Sequence, residues 1–178
     1  KMVIGASTYK LYTEPSEFTS TSRPYRQGSD RWDYFNSAFQ LDASGEIQRL
    51  REVGKVQALA DKLHDQPISG NRGIAHTRWA THGKPSENNA HPHMSGDDIA
   101  IVHNGIIENW KELKEQTIKK GAKYQSETDT EVIAWFIEQE RQTKPMEEVL
   151  NLFIKTFKGT FATAIMIDGD EKLYAAKR

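Results

Sequence analysis

Two apolar stretches, DIAIVHNGIIE at 98–108 and TFATAIMIDGDEKLYAA at 160–176, are separated by three consecutive segments that carry a helical period. Strands on both sides of a wholly helical connection suggest layers of sheet covered by helices. The first helix is expected to start at Asn109 as cap with Glu112 three residues on. Its apolar side is Ile106, Trp110 and Leu113, and it should stop at Gly121 after Lys119 and Lys120. TDTEVIAWFIEQERQ places Thr128 and Glu131 at capping-box spacing and buries Val132, Ile133, Phe136 and Ile137. PMEEVLNLFIKTFK opens on a helix-tolerated proline and aligns Val149, Leu152, Phe153 and Phe157 on one side. The last stretch reads as a hairpin around DGD.

The residues before them follow the same logic. NSAFQLDASGEIQRLREVG predicts two strands joined at ASG, with Ile47 and Leu50 facing inward, and KVQALADKLHDQ repeats Val56, Leu59, Ala60 and Leu63 at helical spacing. GIAHTRWA reads as a buried strand, its flanking glycine deciding against a helix. Residues 8–33 are rich in Ser, Thr, Pro and charge without a sustained period, so residues 1–33 are expected to be a divergent or irregular segment ahead of one domain at 34–178.

Composition narrows the function. A net charge of −1 gives no general reason to expect a nucleic acid or an anionic membrane surface as partner. The absence of cysteine excludes a disulfide framework and any thiolate metal site. No apolar run is long enough to span a bilayer, and KMVIGAS is too short for a signal-peptide core, so a cytoplasmic location is expected. The Lys- and Glu-rich runs at 111–120 and 138–148 read as solvated helix faces.

The chemistry concentrates in GIAHTRWATHGKPSENNAHPH at 73–93, which is too polar for a core. His91 and His93, with His76, His82 and His103, could form a histidine-rich metal site, but a proline separates the first two and no carboxylate stands at helical ligand spacing. The expectation is no metal. Arg78 offers a planar fork suited to a carboxylate. Asp129 could meet an ammonium group or serve as a first-turn acid of its helix. Asn104 and Gly105 could supply an amide and a backbone N–H to an oxyanion, or form a plain Asn-Gly turn. Trp79 could wall a pocket or fill core.

Four stretches in order, LREVGKVQAL, GIAHTRWATHGKPSENNAHPH, HNGIIENWKEL and SETDTEVIA, closely resemble the class II glutamine amidotransferase (glutaminase) domain of glutamine–fructose-6-phosphate aminotransferases, the enzymes that make glucosamine 6-phosphate. The resemblance runs from about Asp42 to Arg178. It implies an α+β fold, the four-layer αββα N-terminal-nucleophile hydrolase sandwich, here expected to be truncated at its C-terminal end and to lack the sugar-isomerase domain. It implies hydrolysis of L-glutamine to glutamate and ammonia without a cofactor. An N-terminal cysteine thiol attacks the side-chain amide with its own α-amine as base, and ammonia passes to fructose 6-phosphate. By motif match, Arg78 binds the α-carboxylate and Asp129 the α-ammonium. Trp79, Thr81, His82 and His91 shape and close the pocket, and Asn104 and Gly105 donate to the oxyanion. The implied partners are L-glutamine or L-glutamate and the sugar-isomerase domain of a homo-oligomeric parent, with no nucleic acid and no membrane.

The nucleophile departs from the pattern. The chain begins at Lys1 and holds no cysteine, and counting back from the matched region puts the nucleophile position near Ala6, beside Ser7 and Thr8. An alcohol is far less ionised than a thiol at neutral pH. The chain as written is therefore expected to be inactive, and the alternative reading is a non-catalytic module that binds glutamine or glutamate.

Overall fold

The computed structural model describes residues 35–41, 46–53, 56–68, 72–78 and 86–178, with the backbone path alone at 35–41, 53, 56, 77 and 78. Strand β1 (Phe35–Leu41) pairs antiparallel with β2 (Ile47–Val53) and with β3 (Arg72–Arg78), so the first sheet has the order β2-β1-β3. Leu41 stands opposite Ile47 and Ser37 opposite His76. Between β2 and β3 runs helix α1 (Val56–Asp65). A second antiparallel sheet contains β4 (His93–Ser95), β5 (Ile99–Gly105), β6 (Phe161–Ile167) and β7 (Leu173–Lys177) in that order. Helices α2 (Trp110–Lys119), α3 (Glu131–Arg141) and α4 (Met146–Thr156) connect β5 to β6, which are neighbours in the sheet.

Three apolar seams stack these elements into four layers. Leu50 of β2 and Leu59 of α1 are buried together, with Leu63 and Ile68 at their edge. Ile74 of the first sheet meets Ala100, Val102, Ala164 and Met166 of the second, with Ile47, Met94 and Leu173 partly buried around them. The third seam, the largest, packs Ile99, Ile101, Ile165 and Ile167 against Leu113, Val132, Ile133, Phe136, Ile137, Val149, Phe153 and Phe157. The order is α1, first sheet, second sheet, then α2 to α4. The two-residue period of β5 sorts its side chains, Ile99 and Ile101 to the helices and Ala100 and Val102 to the other sheet.

Several local expectations are corrected by this layering. Ile47 and Leu50 are three apart on a strand, so they face opposite sides, and each is inside because both faces of the first sheet are covered. Ile106 is 46% exposed, and the fully buried Ile107 takes the place expected of it. Asn109 stands at the N-cap of α2 without a side-chain cap bond; it donates to Thr156 O (3.0 Å) and accepts from Lys158 N (2.9 Å), tying α2 to the end of α4. Gly121 does end α2 (φ +97), and the bonds Gly121 N to Ile118 O (2.9 Å) and Ala122 N to Thr117 O (3.0 Å) close the helix. The N-cap of α3 is Thr130, not Thr128. The carboxylate of Glu131 instead accepts from the N–H groups of Gln125 (2.9 Å) and Ser126 (2.7 Å). Pro145 is the N-cap of α4 rather than a residue inside it.

Candidate functional site

The site lies where β5 leaves the sheet. The alternation that sorts its apolar residues continues into its polar end. His103 points to the helices, its Nδ1 2.9 Å from Thr130 Oγ1. Asn104 points to the first sheet, its Oδ1 2.8 Å from His76 Nε2. Gly105 follows at φ +119, and a Cβ there would stand 2.1 Å from Thr160 O and 2.8 Å from Phe161 Cα. Only glycine permits this close approach of β5 to the start of β6. Asn104 and Gly105 are thus paired strand residues, facing Ala162 and Phe161, and the plain Asn-Gly hairpin turn is excluded.

The loop before α3 closes over this end. Ile107 N–H donates to Asp129 Oδ2 at 2.8 Å, with both residues buried. Asp129 therefore neither caps α3 nor faces water; it joins the segment after β5 to the head of that helix. Thr128 Oγ1 lies 3.1 Å from His93 Nε2 and 3.1 Å from Ser126 Oγ. Glu127 N donates to Asn89 Oδ1 (2.9 Å) and Asn89 Nδ2 to Glu127 Oε2 (3.3 Å), a reciprocal clasp to the 3₁₀ turn Glu87–Asn89. Arg51 Nη1 donates to Ala90 O (3.3 Å); burial, with Arg49 beside it, lowers the Arg51 guanidinium to about 10, still charged at neutral pH.

Among the described residues, four buried histidines, His76, His91, His93 and His103, fill the junction. The ring centroids of His76 and His91 are 4.0 Å apart, His91 and His93 4.9 Å, and His91 and His103 6.4 Å. They are packed as rings, and among the described residues no three His, Asp or Glu are grouped to hold a metal ion. His93 lies on the short strand β4.

Asn104, Gly105, Asp129 and His91 are thus brought to one end of the second sheet. Arg78 is the last residue of β3, two positions beyond His76. Trp79, Thr81 and His82 lie outside the described residues, as does the stretch around Ala6, Ser7 and Thr8. The sequence reading missed His76 as the partner of Asn104 and Ile107 N–H as the partner of Asp129. The period of β5 carried a signal for the first, since Asn104 follows Ala100 and Val102 by twos; nothing local announced the second. A separate open concavity of about 660 Å³, lined by residues including Arg141, Lys144, Asp168 and Lys172, lies at the opposite end of the sheet, where Ile99 faces Ile167.

The family model that matches this architecture describes a glutamine amidotransferase domain and covers residues 76–178. The chain belongs to that family. It is 49% identical over 139 residues to glutamine–fructose-6-phosphate aminotransferase [isomerizing] of Yersinia pseudotuberculosis, covering 78% of the chain and 23% of that protein. It is 48% identical over 136 residues to the enzyme of the same description from Mesorhizobium japonicum, covering 75% of the chain and 22% of that protein. The amidotransferase chain here therefore spans less than a quarter of the length of these relatives. Among solved structures, glutamine phosphoribosylpyrophosphate amidotransferase from B. subtilis superposes with a TM-score of 0.67 at 23% identity, covering 83% of the chain and 31% of that one. A glutamine aminotransferase class-II domain protein from Silicibacter pomeroyi gives 0.53 at 20%, covering 81% and 68%. These likenesses establish the shared fold, the αββα sandwich of N-terminal-nucleophile amidotransferases. Among the described residues no helix is long and apolar enough to cross a membrane.

Proposed function

We propose that this chain forms the glutamine-binding pocket of an amidotransferase that supplies ammonia to fructose 6-phosphate, and that the 178 residues bind glutamine or glutamate without hydrolysing it. The observation that carries the reading is the joining of HNGII to SETDT by the Ile107–Asp129 hydrogen bond, which sets a buried carboxylate close to the end of β5. The identity of 49% to glutamine–fructose-6-phosphate aminotransferase supports the sugar acceptor, which a fused sugar-isomerase domain of a homo-oligomeric parent would hold.

In this reading the guanidinium of Arg78 takes the α-carboxylate of the amino acid. Asp129 takes the α-ammonium through the carboxylate oxygen that Ile107 does not use. The Asn104 amide and the Gly105 N–H polarise the side-chain carbonyl of glutamine, where negative charge develops when a nucleophile adds. Trp79, Thr81, His82 and His91 enclose the ligand. Hydrolysis further requires a thiolate, and the sequence contains no cysteine. The second reading, a non-catalytic module that binds glutamine or glutamate, rests on the absence of cysteine from these 178 residues.

Titration calorimetry of the purified chain tests the pocket. L-Glutamate should bind, and Arg78→Ala should weaken it at least about tenfold, the loss expected of one hydrogen bond to a charged group. Unchanged affinity in Arg78→Ala would overturn the pocket assignment. The chain should release no ammonia from L-glutamine, and turnover well above buffer would overturn the non-hydrolysing reading.

A further inference from the structure

We infer that His76 is a positioning residue that fixes which end of the Asn104 amide meets the ligand. An amide oxygen can only accept, so the 2.8 Å contact between His76 Nε2 and Asn104 Oδ1 requires the proton on Nε2. With its oxygen held, Asn104 is left with the two hydrogens of Nδ2 to donate, and among the described residues its side chain makes no other hydrogen bond. A rotation of the amide by half a turn would point an oxygen at the ligand carbonyl, replacing attraction by repulsion. The chain meets this problem by burying the donor: His76 is 6% exposed on β3, and the ring of His91, equally buried, packs tilted against it with the centroids 4.0 Å apart.

The inference rests on the proposed role of Asn104 toward the glutamine carbonyl, and its consequence is selective. Only ligands with a side-chain carbonyl touch the Asn104 amide, so His76 governs the preference for L-glutamine over L-norvaline, which keeps the amino-acid backbone and lacks the carbonyl. His76→Leu removes the donor and should weaken L-glutamine about five- to tenfold, the worth of one neutral hydrogen bond, with L-norvaline unchanged. His76→Gln carries an N–H₂ that can reach the same oxygen and should retain most of the preference.

Calorimetry with both ligands on the wild-type chain and both variants reads this directly. If the wild type prefers glutamine but His76→Leu weakens both ligands alike, or neither, His76 has no orienting role while the pocket stands. If the wild type does not discriminate the two ligands, Asn104 does not touch the carbonyl, and both the proposed function and this inference fall. A measurement independent of ligand and of variant folding is the side-chain ¹⁵N spectrum of the wild-type histidines. It should show His76 protonated at Nε2; a bare Nε2 would overturn the inference by itself.

Discussion

Replacing Gly105 by alanine tests the geometry on which the whole site is built. The added Cβ would stand 2.1 Å from Thr160 O and 2.8 Å from Phe161 Cα, both backbone atoms that no rotamer change can move. A carbon and a carbonyl oxygen in ordinary contact are about 3.3 Å apart, so β5 and the start of β6 must part by roughly 1 Å. A displacement of packed backbone costs about 1–3 kcal/mol. The positive φ of +119 adds about 1–2 kcal/mol for a residue with a Cβ. Alanine returns roughly 0.5–1 kcal/mol by stiffening the unfolded chain, leaving a net loss of about 1–4.5 kcal/mol, centred near 3. For a chain of this size that is a fall in Tm of about 2–18 °C. Gly96→Ala is the control: its φ is +58 but nothing lies within 4 Å of the added carbon, so only the conformational cost of about 1 kcal/mol applies. Urea unfolding followed by circular dichroism compares the two. If Gly105→Ala comes within about 0.5 kcal/mol of Gly96→Ala, the close approach of β5 to β6 is wrong, and with it the path of the backbone at Asn104.

Asp129→Ala leaves the N–H of the fully buried Ile107 without its acceptor and should cost about 1.5–3 kcal/mol, whereas Asp129→Asn keeps an oxygen at that place and should lose less than half as much. Equal losses in urea unfolding would show that Asp129 does not hold this loop. The alkaline limb of stability should carry the mark of Tyr124, whose phenol is pushed up to about 12 by burial, with the nearby Glu131 carboxylate adding to the effect and the Thr117 hydrogen bond opposing it. A raised folded pKa means that its stabilisation is complete below pH 10, the ordinary value, and is lost between pH 10 and about 12 as the unfolded phenol ionises first. Tyr124→Phe should therefore flatten the decline of stability in that window, and parallel declines for wild type and variant would refute the assignment.

What the sequence made legible follows from what each residue is doing. The helices were readable because their apolar residues answer to one face each: Val132, Ile133, Phe136 and Ile137 all enter the same seam. The four layers themselves came from the resemblance, since no local period says that both faces of the first sheet are covered. The same blindness made Ile47 and Leu50 look like partners when they face different layers. β4 went unseen because its three residues, His93, Met94 and Ser95, have no apolar run and are a strand only through pairing with β5. The caps departed for a different reason: Asn109 is the N-cap of α2 but makes no side-chain cap bond, and Thr130 stands where Thr128 was expected. Asn109 and Thr128 have the right chemistry to cap a helix, and both use it elsewhere, Asn109 on the end of α4 and Thr128 on His93. Local spacing predicts which hydrogen bonds a side chain can make, not which tertiary partner competes for them.

That competition explains why the polar residues of the site were visible as a group while their roles were not. Asn89, His93, His103, Ser126, Thr128, Asp129 and Glu131 are all buried. A buried polar group without a partner costs about 1–3 kcal/mol, so the chain gains from a loop in which they answer one another. Glu131 gathers the N–H groups of Gln125 and Ser126, Asn89 clasps Glu127, and Asp129 takes Ile107 N–H, so the loop before α3 is held by side chains from three directions. Hydrogen bonds are directional where apolar contacts are not, and such a network specifies one arrangement at the cost of tolerating few substitutions. The consequence for function is a division of labour along β5. Its first half is apolar on both faces and fixes the strand between two layers; its last three residues inherit that position, and the Asn104 amide there meets His76 of the neighbouring sheet.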